Sequence, residues 1–164
     1  MNTSSKNRFV NDLGVAAYLL MHGYAVVGKR GRSIYFEVPD DDAEAFDKLV
    51  LEYQPPNEFY TFDSCLMYLK KINELIMPTD LDESKLKIVA DLGVAAYLLM
   101  QEYRTNRLGA RVVGKKGKYI YFEVPEGKNQ AFERLTYQYL PSPFQTYDSN
   151  LMALKKHGEY MPSM

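Results

Sequence analysis

A stretch of ten residues occurs twice in the chain, letter for letter, and this repeat constrains the fold more than any other feature. Asp12–Met21 returns as Asp91–Met100, an offset of 79 residues (12 to 91) in a chain of 164. An identical run of this length at one offset indicates an internal duplication. The alignment gives a first repeat at residues 8–77 and a second at residues 82–160, each near the size at which a lone domain is only marginally stable.

The pattern of each repeat predicts a helix, a β-hairpin and two further helices. The first helix has an apolar face at helical spacing, formed by Leu13, Ala16, Ala17 and Leu20. Asn11 or Asp12 is the expected N-cap, and Gly23 is the expected left-handed terminator. The second repeat carries seven extra residues after Met100, close to two helical turns, so we expect its first helix to continue to about Arg107.

The hairpin is predicted at residues 26–39, which match residues 112–125. A residue-Gly pair between two β-branched and aromatic runs is a hairpin signal, and we place a two-residue turn at Arg30-Gly31. Val27 then lies opposite Ile34. Gly31 and its counterpart Gly117 are expected to have positive φ, because a tight hairpin turn requires it.

The second helix is expected to begin with Asp41 as cap and Glu44 completing a capping box. The third is expected to begin at Asp63, or Asp148 in the second repeat. Residues 1–7 are polar and expected to fray, residues 77–80 to join the repeats, and residues 84–89 to add an early turn to the fourth helix.

A lone two-stranded hairpin is marginal in water, so each repeat needs a partner for its strands. One solution buries each hairpin under its own helices. We favour the other, in which both hairpins form one four-stranded antiparallel sheet flanked by helices. The predicted fold is therefore α+β, a pseudo-twofold homodimer fused into one chain and monomeric in solution.

Residues that differ between the repeats provide no strong case for a metal or catalytic site. The two histidines, His22 and His157, align with Leu108 and Ile72, and Cys65 aligns with Asn150. A zinc site needs three or four ligands, and a buried thiol is the ordinary interpretation of Cys65. The matched carboxylates are expected as helix caps or solvated strand residues: Asp12, Asp91, Asp63, Asp148, Glu37 and Glu123. We therefore predict no enzyme activity, no metal and no cofactor.

The hairpins carry the strongest candidate contact surface. Although the net charge is −1, six positive charges lie at the two hairpin turns, with Arg111 near one of them and tyrosines on the adjoining strands. Basic side chains beside aromatic rings are typical of single-strand binding, whereas solvated turns that protect strand edges are the simpler alternative. The candidate nucleic-acid-binding residues are Lys29, Arg30, Arg32, Tyr35, Arg111, Lys115, Lys116, Lys118, Tyr119 and Tyr121.

The Asp-Leu-Gly-x-Ala-Ala-Tyr-Leu-Leu-Met signature, followed by a hairpin ending Ile-Tyr-Phe-Glu, resembles a family of short phage and bacterial proteins that is known only as a domain of unknown function. The resemblance implies a phage or mobile-element context and transfers no catalytic residues. Two functions from different classes remain open. One is binding of single-stranded nucleic acid through the hairpins. The other is binding and modulation of a host or phage protein, favoured by the extended helix at residues 101–107.

No run in the sequence approaches the roughly 20 apolar residues of a membrane span, and no signal-peptide pattern is present. A single cysteine excludes an internal disulfide and fits a reducing compartment. We therefore expect no membrane partner and a cytoplasmic location, in the host cytoplasm if the protein is phage-encoded.

Overall fold

A computed structural model describes residues 5–72, 82–156 and 158. The segment 77–80, predicted to join the repeats, and His157 lie outside the described residues. The elements of the first repeat are β1 (Ser5–Val10), α1 (Leu13–Met21), β2 (Ala25–Arg30), β3 (Ser33–Pro39), α2 (Ala43–Glu52) and α3 (Glu58–Lys71). Those of the second are β4 (Leu86–Val89), α4 (Leu92–Thr105), β5 (Arg111–Lys116), β6 (Tyr119–Glu123), α5 (Asn129–Tyr139) and α6 (Pro143–Lys156). Short 3₁₀ helices span Asp40–Asp42 and Glu83–Lys85.

The strands form two three-stranded antiparallel sheets in the described part of the chain, in the orders β1-β3-β2 and β4-β6-β5. The α+β class is confirmed, but the predicted four-stranded sheet shared by both hairpins is wrong. Each hairpin instead gains its third strand from the residues before the first helix of its own repeat. Ser5–Val10 pairs along β3, and Leu86–Val89 pairs along β6, where we had expected a polar end and a helical turn.

The hairpin turn lies one residue later than predicted, which places Lys29 and not Val27 opposite Ile34. Arg30 pairs with Ser33 and Lys29 with Ile34, so the turn residues are Gly31 and Arg32. Gly31 has the predicted positive φ (59°), which fits a type II′ turn with glycine in the first central position. A β-bulge between Val26 and Gly28 then shifts the register, and the second repeat has the same bulge between Val112 and Gly114.

The chain divides into two compact units whose borders do not coincide with the repeats. Unit 1 takes residues 1–60 and 146–164, and unit 2 takes residues 61–145. Most of α3, from the first repeat, therefore belongs to unit 2, and most of α6, from the second repeat, belongs to unit 1. Each unit is built from one repeat's sheet and first two helices together with the last helix of the other repeat.

The exchanged helix supplies an aromatic ring to the core of each unit. In unit 1, Tyr147 of α6 is fully buried, packs on Phe59 with ring centroids 5.5 Å apart, and makes a hydroxyl–hydroxyl hydrogen bond with Tyr53. In unit 2, Phe62 of α3 occupies the corresponding place, 5.5 Å from Phe144. The exchanged helices therefore contribute to the core of the unit that receives them.

The repeated ten-residue stretch forms a helix that is buried on almost every side. Residues 14–19 and 93–98 are all buried. Asp12 caps α1 as predicted, since its Oδ1 accepts hydrogen bonds from the Gly14 and Val15 amides, and Asp91 does the same for Val94. The predicted extension of α4 is present and ends at Thr105, with Asn106 in the left-handed region as its C-cap.

The later helices begin elsewhere than predicted. Asp41 lies in a 3₁₀ turn and does not cap α2. The third helix of each repeat begins at Glu58 or Pro143, so Asp63 and Asp148 lie inside it. Its first amides are capped by Asn57, whose Oδ1 accepts from Phe59, and by Ser142, whose Oγ accepts from Gln145.

Candidate nucleic-acid interface

One side of each sheet is buried against helices and the other is not, so the candidate residues can be assigned to one side or the other. Ile34, Phe36 and Val38 alternate along β3 and are buried against the helices. Tyr35 and Glu37 therefore point to the opposite side, which we call the outer face of the sheet. In β6, Ile120 and Phe122 are buried, so Tyr119, Tyr121 and Glu123 lie on the outer face of the second sheet.

Lys29 and Lys115 lie on the inner side, because directly paired residues share a face and their partners are Ile34 and Ile120. The Lys29 ammonium donates to the Leu154 carbonyl at 2.7 Å. The Lys115 ammonium donates to the Leu69 carbonyl at 2.6 Å, with the Ile72 and Lys70 carbonyls at 3.3 and 3.4 Å. Both lysines thus bind the C-terminal end of an exchanged helix, where a cation is favourable.

The remaining basic residues of the hairpins are exposed. Arg30 pairs with Ser33 and Lys116 with Tyr119, which places both cations on the outer faces. Arg32 and Lys118 occupy the turns. The Lys118 ammonium lies 5.6 Å from the centroid of the Tyr119 ring. At each hairpin turn, two cations therefore face solvent, while Lys29 or Lys115 binds the end of a helix.

The outer faces carry aromatic and apolar side chains next to these cations. Phe9 of β1 pairs with Tyr35, their ring centroids are 5.6 Å apart, and the Phe9 side chain is 57% exposed. In the second sheet Ile88 is 58% exposed opposite Tyr121, and Tyr119 is 42% exposed. Neighbouring exposed apolar side chains on one face are typical of a contact surface.

Phe9 and Ile88 were missed by the sequence reasoning. The signal was available, because Arg8-Phe9-Val10 and Lys87-Ile88-Val89 precede the two caps at the same offset of 79 residues. A basic residue followed by two apolar residues at matched positions indicates a third strand in each repeat.

Arg111 is exposed on β5, and its guanidinium donates to Glu123 Oε1 at 3.0 Å. The corresponding pair in the first sheet is Ala25 and Glu37. This residue of the candidate set therefore lies on an outer face together with a carboxylate that reduces its net positive charge.

Two titratable side chains in the described part of the chain have strongly raised pKa values. Burial raises the pKa of the Cys65 thiol to about 11, so the thiol is protonated at neutral pH. Burial and a hydrogen bond to Asp42 raise the pKa of Tyr24 to about 12. Among the described residues, no group of three or more potential ligands is placed to hold a metal ion. No helix in that part of the chain is long and apolar enough to cross a membrane.

Unit 1 also contains a cleft of about 840 Å³ beside the hairpin turn. Apolar residues contribute to its lining, among them Val10, Leu13 and Val50. Three cations also line it: Lys29, Arg32 and Lys155. Its size falls in the range of small-ligand sites.

Comparison of the chain with protein-family models, with curated proteins and with solved structures finds no match. The resemblance suggested by the repeated signature therefore stays a prediction, and the arguments for function rest on the site.

Proposed function

We propose that this chain is a non-enzymatic nucleic-acid-binding protein that contacts single strands through the outer faces and turns of its two hairpins. The observation that carries the proposal is that both sheets expose aromatic or apolar side chains beside cations on the same face. Phe9, Tyr35 and Arg30 form one set, and Tyr119, Tyr121 and Lys116 form the other. Exposed rings stack on unpaired bases, while cations follow the phosphates.

The helix-binding roles of Lys29 and Lys115 narrow the proposed contact set. Their ammonium groups already lie on helix carbonyls, so we assign phosphate contact to Arg30, Arg32, Lys116 and Lys118. Arg111 contributes less, because Glu123 lies beside it. A single strand is favoured over a duplex, because base stacking on an exposed ring requires bases that are not already stacked in a helix.

The test is a fluorescence-anisotropy titration with single-stranded and duplex oligonucleotides at several salt concentrations. We expect Arg30→Gln and Lys116→Gln to weaken binding uniformly across sequences, each lowering the salt slope by about 1. Tyr35→Ala should weaken single-strand binding without changing that slope. Lys48→Gln, which removes an exposed cation from α2, is the matched control. Absence of binding at low salt would end the proposal.

We also propose that the chain is a tandem duplication, a dimer fused into one polypeptide with pseudo-twofold symmetry. The identical signature, the shared strand order and the reciprocal exchange of the last helix support this origin. A phage or mobile-element source rests on the resemblance of the signature alone, and a cytoplasmic location is supported by the single cysteine. Light scattering should give a monomer, and an obligate dimer would contradict the fused-dimer proposal.

The alternative function is binding of a host or phage protein, and one observation favours it. Tyr103, on the part of α4 that α1 lacks, is 81% exposed. The Glu102 carboxylate accepts hydrogen bonds from the Leu108 and Gly109 amides, which orders the chain that follows the helix. If the chain binds a host or phage protein, Tyr103→Ser should abolish capture of that protein and leave the affinity for oligonucleotides unchanged. If the chain binds only nucleic acid, Tyr103→Ser should change neither protein capture nor oligonucleotide affinity.

A further inference from the structure

The cleft in unit 1 has an aliphatic part, on the side where the first sheet faces the helices. Val10 pairs with Ile34, and Ile34 pairs with Lys29, so these three lining residues lie on the inner side of the sheet. Leu13 of α1 and Val50 of α2 also line the cleft, and both are partly exposed. The sheet and two helices therefore give the cleft a continuous set of aliphatic residues.

The cleft also has a cationic part. Arg32 of the hairpin turn and Lys155 at the end of α6 both line it, and both are exposed. The Lys29 ammonium donates to the Leu154 carbonyl, which ties the helix end that carries Lys155 to the hairpin. Asp12 is the carboxylate among the lining residues, and its Oδ1 already accepts two amide hydrogen bonds of α1. The net charge of the lining is positive, so an anionic group is favoured there.

We propose that this cleft binds a medium-chain fatty acid, whose carboxylate lies at Arg32 and Lys155 and whose tail lies along the aliphatic residues. Such a molecule joins one negative charge to an unbranched apolar chain, and these two properties match the two parts of the lining. The Phe9 ring lies on the outer face of the sheet, 5.6 Å from the Tyr35 ring, so the inner lining suits an aliphatic chain rather than an aromatic base. This inference does not rest on the proposed nucleic-acid function.

The test is a calorimetric titration of the full chain with octanoate. We expect a Kd of about 1 mM or tighter, which is ordinary for a ligand of this size. Butanoate should bind at least about tenfold more weakly, because it buries a shorter tail. Octylammonium has the same tail with the opposite charge and should also bind at least about tenfold more weakly.

Two neighbouring lysines provide a matched pair of variants. Lys155→Gln should weaken octanoate binding at least about fivefold, because it removes a cation from the lining. Lys156→Gln removes the same charge from the next residue, which is exposed and lies outside the lining, and should leave the Kd within about twofold.

A change in the aliphatic part tests the position of the tail. Val50→Thr should weaken octanoate binding about threefold, because it places a hydroxyl against the tail. Thr136 occupies the matched position of the second repeat, so we expect this variant to fold. An unchanged Kd for Val50→Thr would overturn the proposed position of the tail.

Three other results would overturn the site. The first is no binding of octanoate up to about 10 mM. The second is equal binding of octanoate and either butanoate or octylammonium, because the cleft would then not read both the tail and the charge. The third is an equal loss for Lys155→Gln and Lys156→Gln, which would indicate a general effect of charge.

A parallel titration with single-stranded oligonucleotides separates this inference from the proposed function. If oligonucleotides bind and octanoate does not, the cleft assignment fails and the outer faces stand. If octanoate binds and oligonucleotides do not, the cleft assignment stands and the proposed function fails. If both bind, Arg30→Gln on the outer face should weaken oligonucleotide binding and leave the Kd for octanoate within about twofold. A matching loss of octanoate binding in Arg30→Gln would place the fatty acid on the outer face and overturn the cleft assignment.

Discussion

Replacing Lys115 with methionine should destabilise the fold, whereas the same change at the adjacent Lys116 should not. Methionine keeps most of the aliphatic chain of lysine but removes the ammonium group. In the structure that group lies within 3.4 Å of the Leu69, Lys70 and Ile72 carbonyls at the end of α3. A hydrogen bond to a charged group contributes about 1.5–3 kcal/mol, and a cation at a helix C-terminus up to about 2 kcal/mol. Since the two contributions overlap, we expect a loss of about 2 kcal/mol.

Urea denaturation followed by circular dichroism measures this change. With a slope of about 2 kcal/mol per molar urea, the Lys115→Met midpoint should fall by about 1 M. Lys116→Met removes the same charge from an exposed position and should stay within about 0.5 kcal/mol. Lys29→Met repeats the test at the end of α6. Equal midpoints for Lys115→Met and Lys116→Met would refute the helix-binding role and return Lys115 to the candidate contact set.

Three further predictions follow from the core and its titratable groups. Tyr147→Phe should cost about 1 kcal/mol in urea denaturation, because it removes the buried hydrogen bond between the Tyr147 and Tyr53 hydroxyls, and an unchanged midpoint would argue against that contribution. Cys65 should react slowly with iodoacetamide at pH 8, because burial raises its pKa from 9.0 to about 11 and leaves about 100-fold less thiolate than in the urea-unfolded chain. The stability linked to this pKa shift is complete below pH 9 and is lost as the pH rises through 11. Equal alkylation rates for the folded and unfolded chains would contradict the burial of the thiol. We expect two separate fragments, residues 1–76 and residues 77–164, to show little cooperative unfolding alone and to regain cooperative unfolding when they are mixed, because each sheet needs the last helix of the other repeat. A stable fold in either fragment alone would contradict the exchange of helices.

The sequence predicted the elements that carry strong local signals. Asp12 and Asp91 were recognised as caps because an acidic residue directly precedes a helical apolar pattern. Gly31 and Gly117 were recognised as turn residues because the strands on both sides are β-branched and aromatic. The start of α6 was misjudged, since the helix was expected to begin at Asp148 but begins at Pro143, and proline is favoured in the first helical position.

The third strands were missed for a physical reason. Ser5–Val10 is an edge strand, so one of its sides and one of its edges face water. Its sequence is therefore mostly polar, and the alternation of apolar and polar residues that signals a strand is weak. Because a two-stranded hairpin is marginal on its own, overlooking the third strand led us to pair the two hairpins in one four-stranded sheet, which is wrong.

Of the candidate site, the exposed cations and tyrosines were identified from composition and position. The roles of Lys29 and Lys115 were not, because their carbonyl partners lie 125 and 46 residues away in the chain. Contacts of that range have no local signature in a single sequence. The cleft could not be predicted from the sequence either, because its residues come from β1, the hairpin, α2 and α6, which only the tertiary fold brings together.

The exchange of the last helices sets an order in which the protein can be completed on the ribosome. Unit 2 is a continuous segment, residues 61–145, and all of it leaves the exit tunnel before the body of α6 does. Unit 1 begins before unit 2 in the chain but lacks Tyr147 and Leu151, both buried in its core, until α6 has been made. Domains generally fold in the order of synthesis, yet here the unit that contains the N-terminal sheet is the last to be finished. A chain released a few residues into α6 would therefore carry a complete second unit and an unfinished first one.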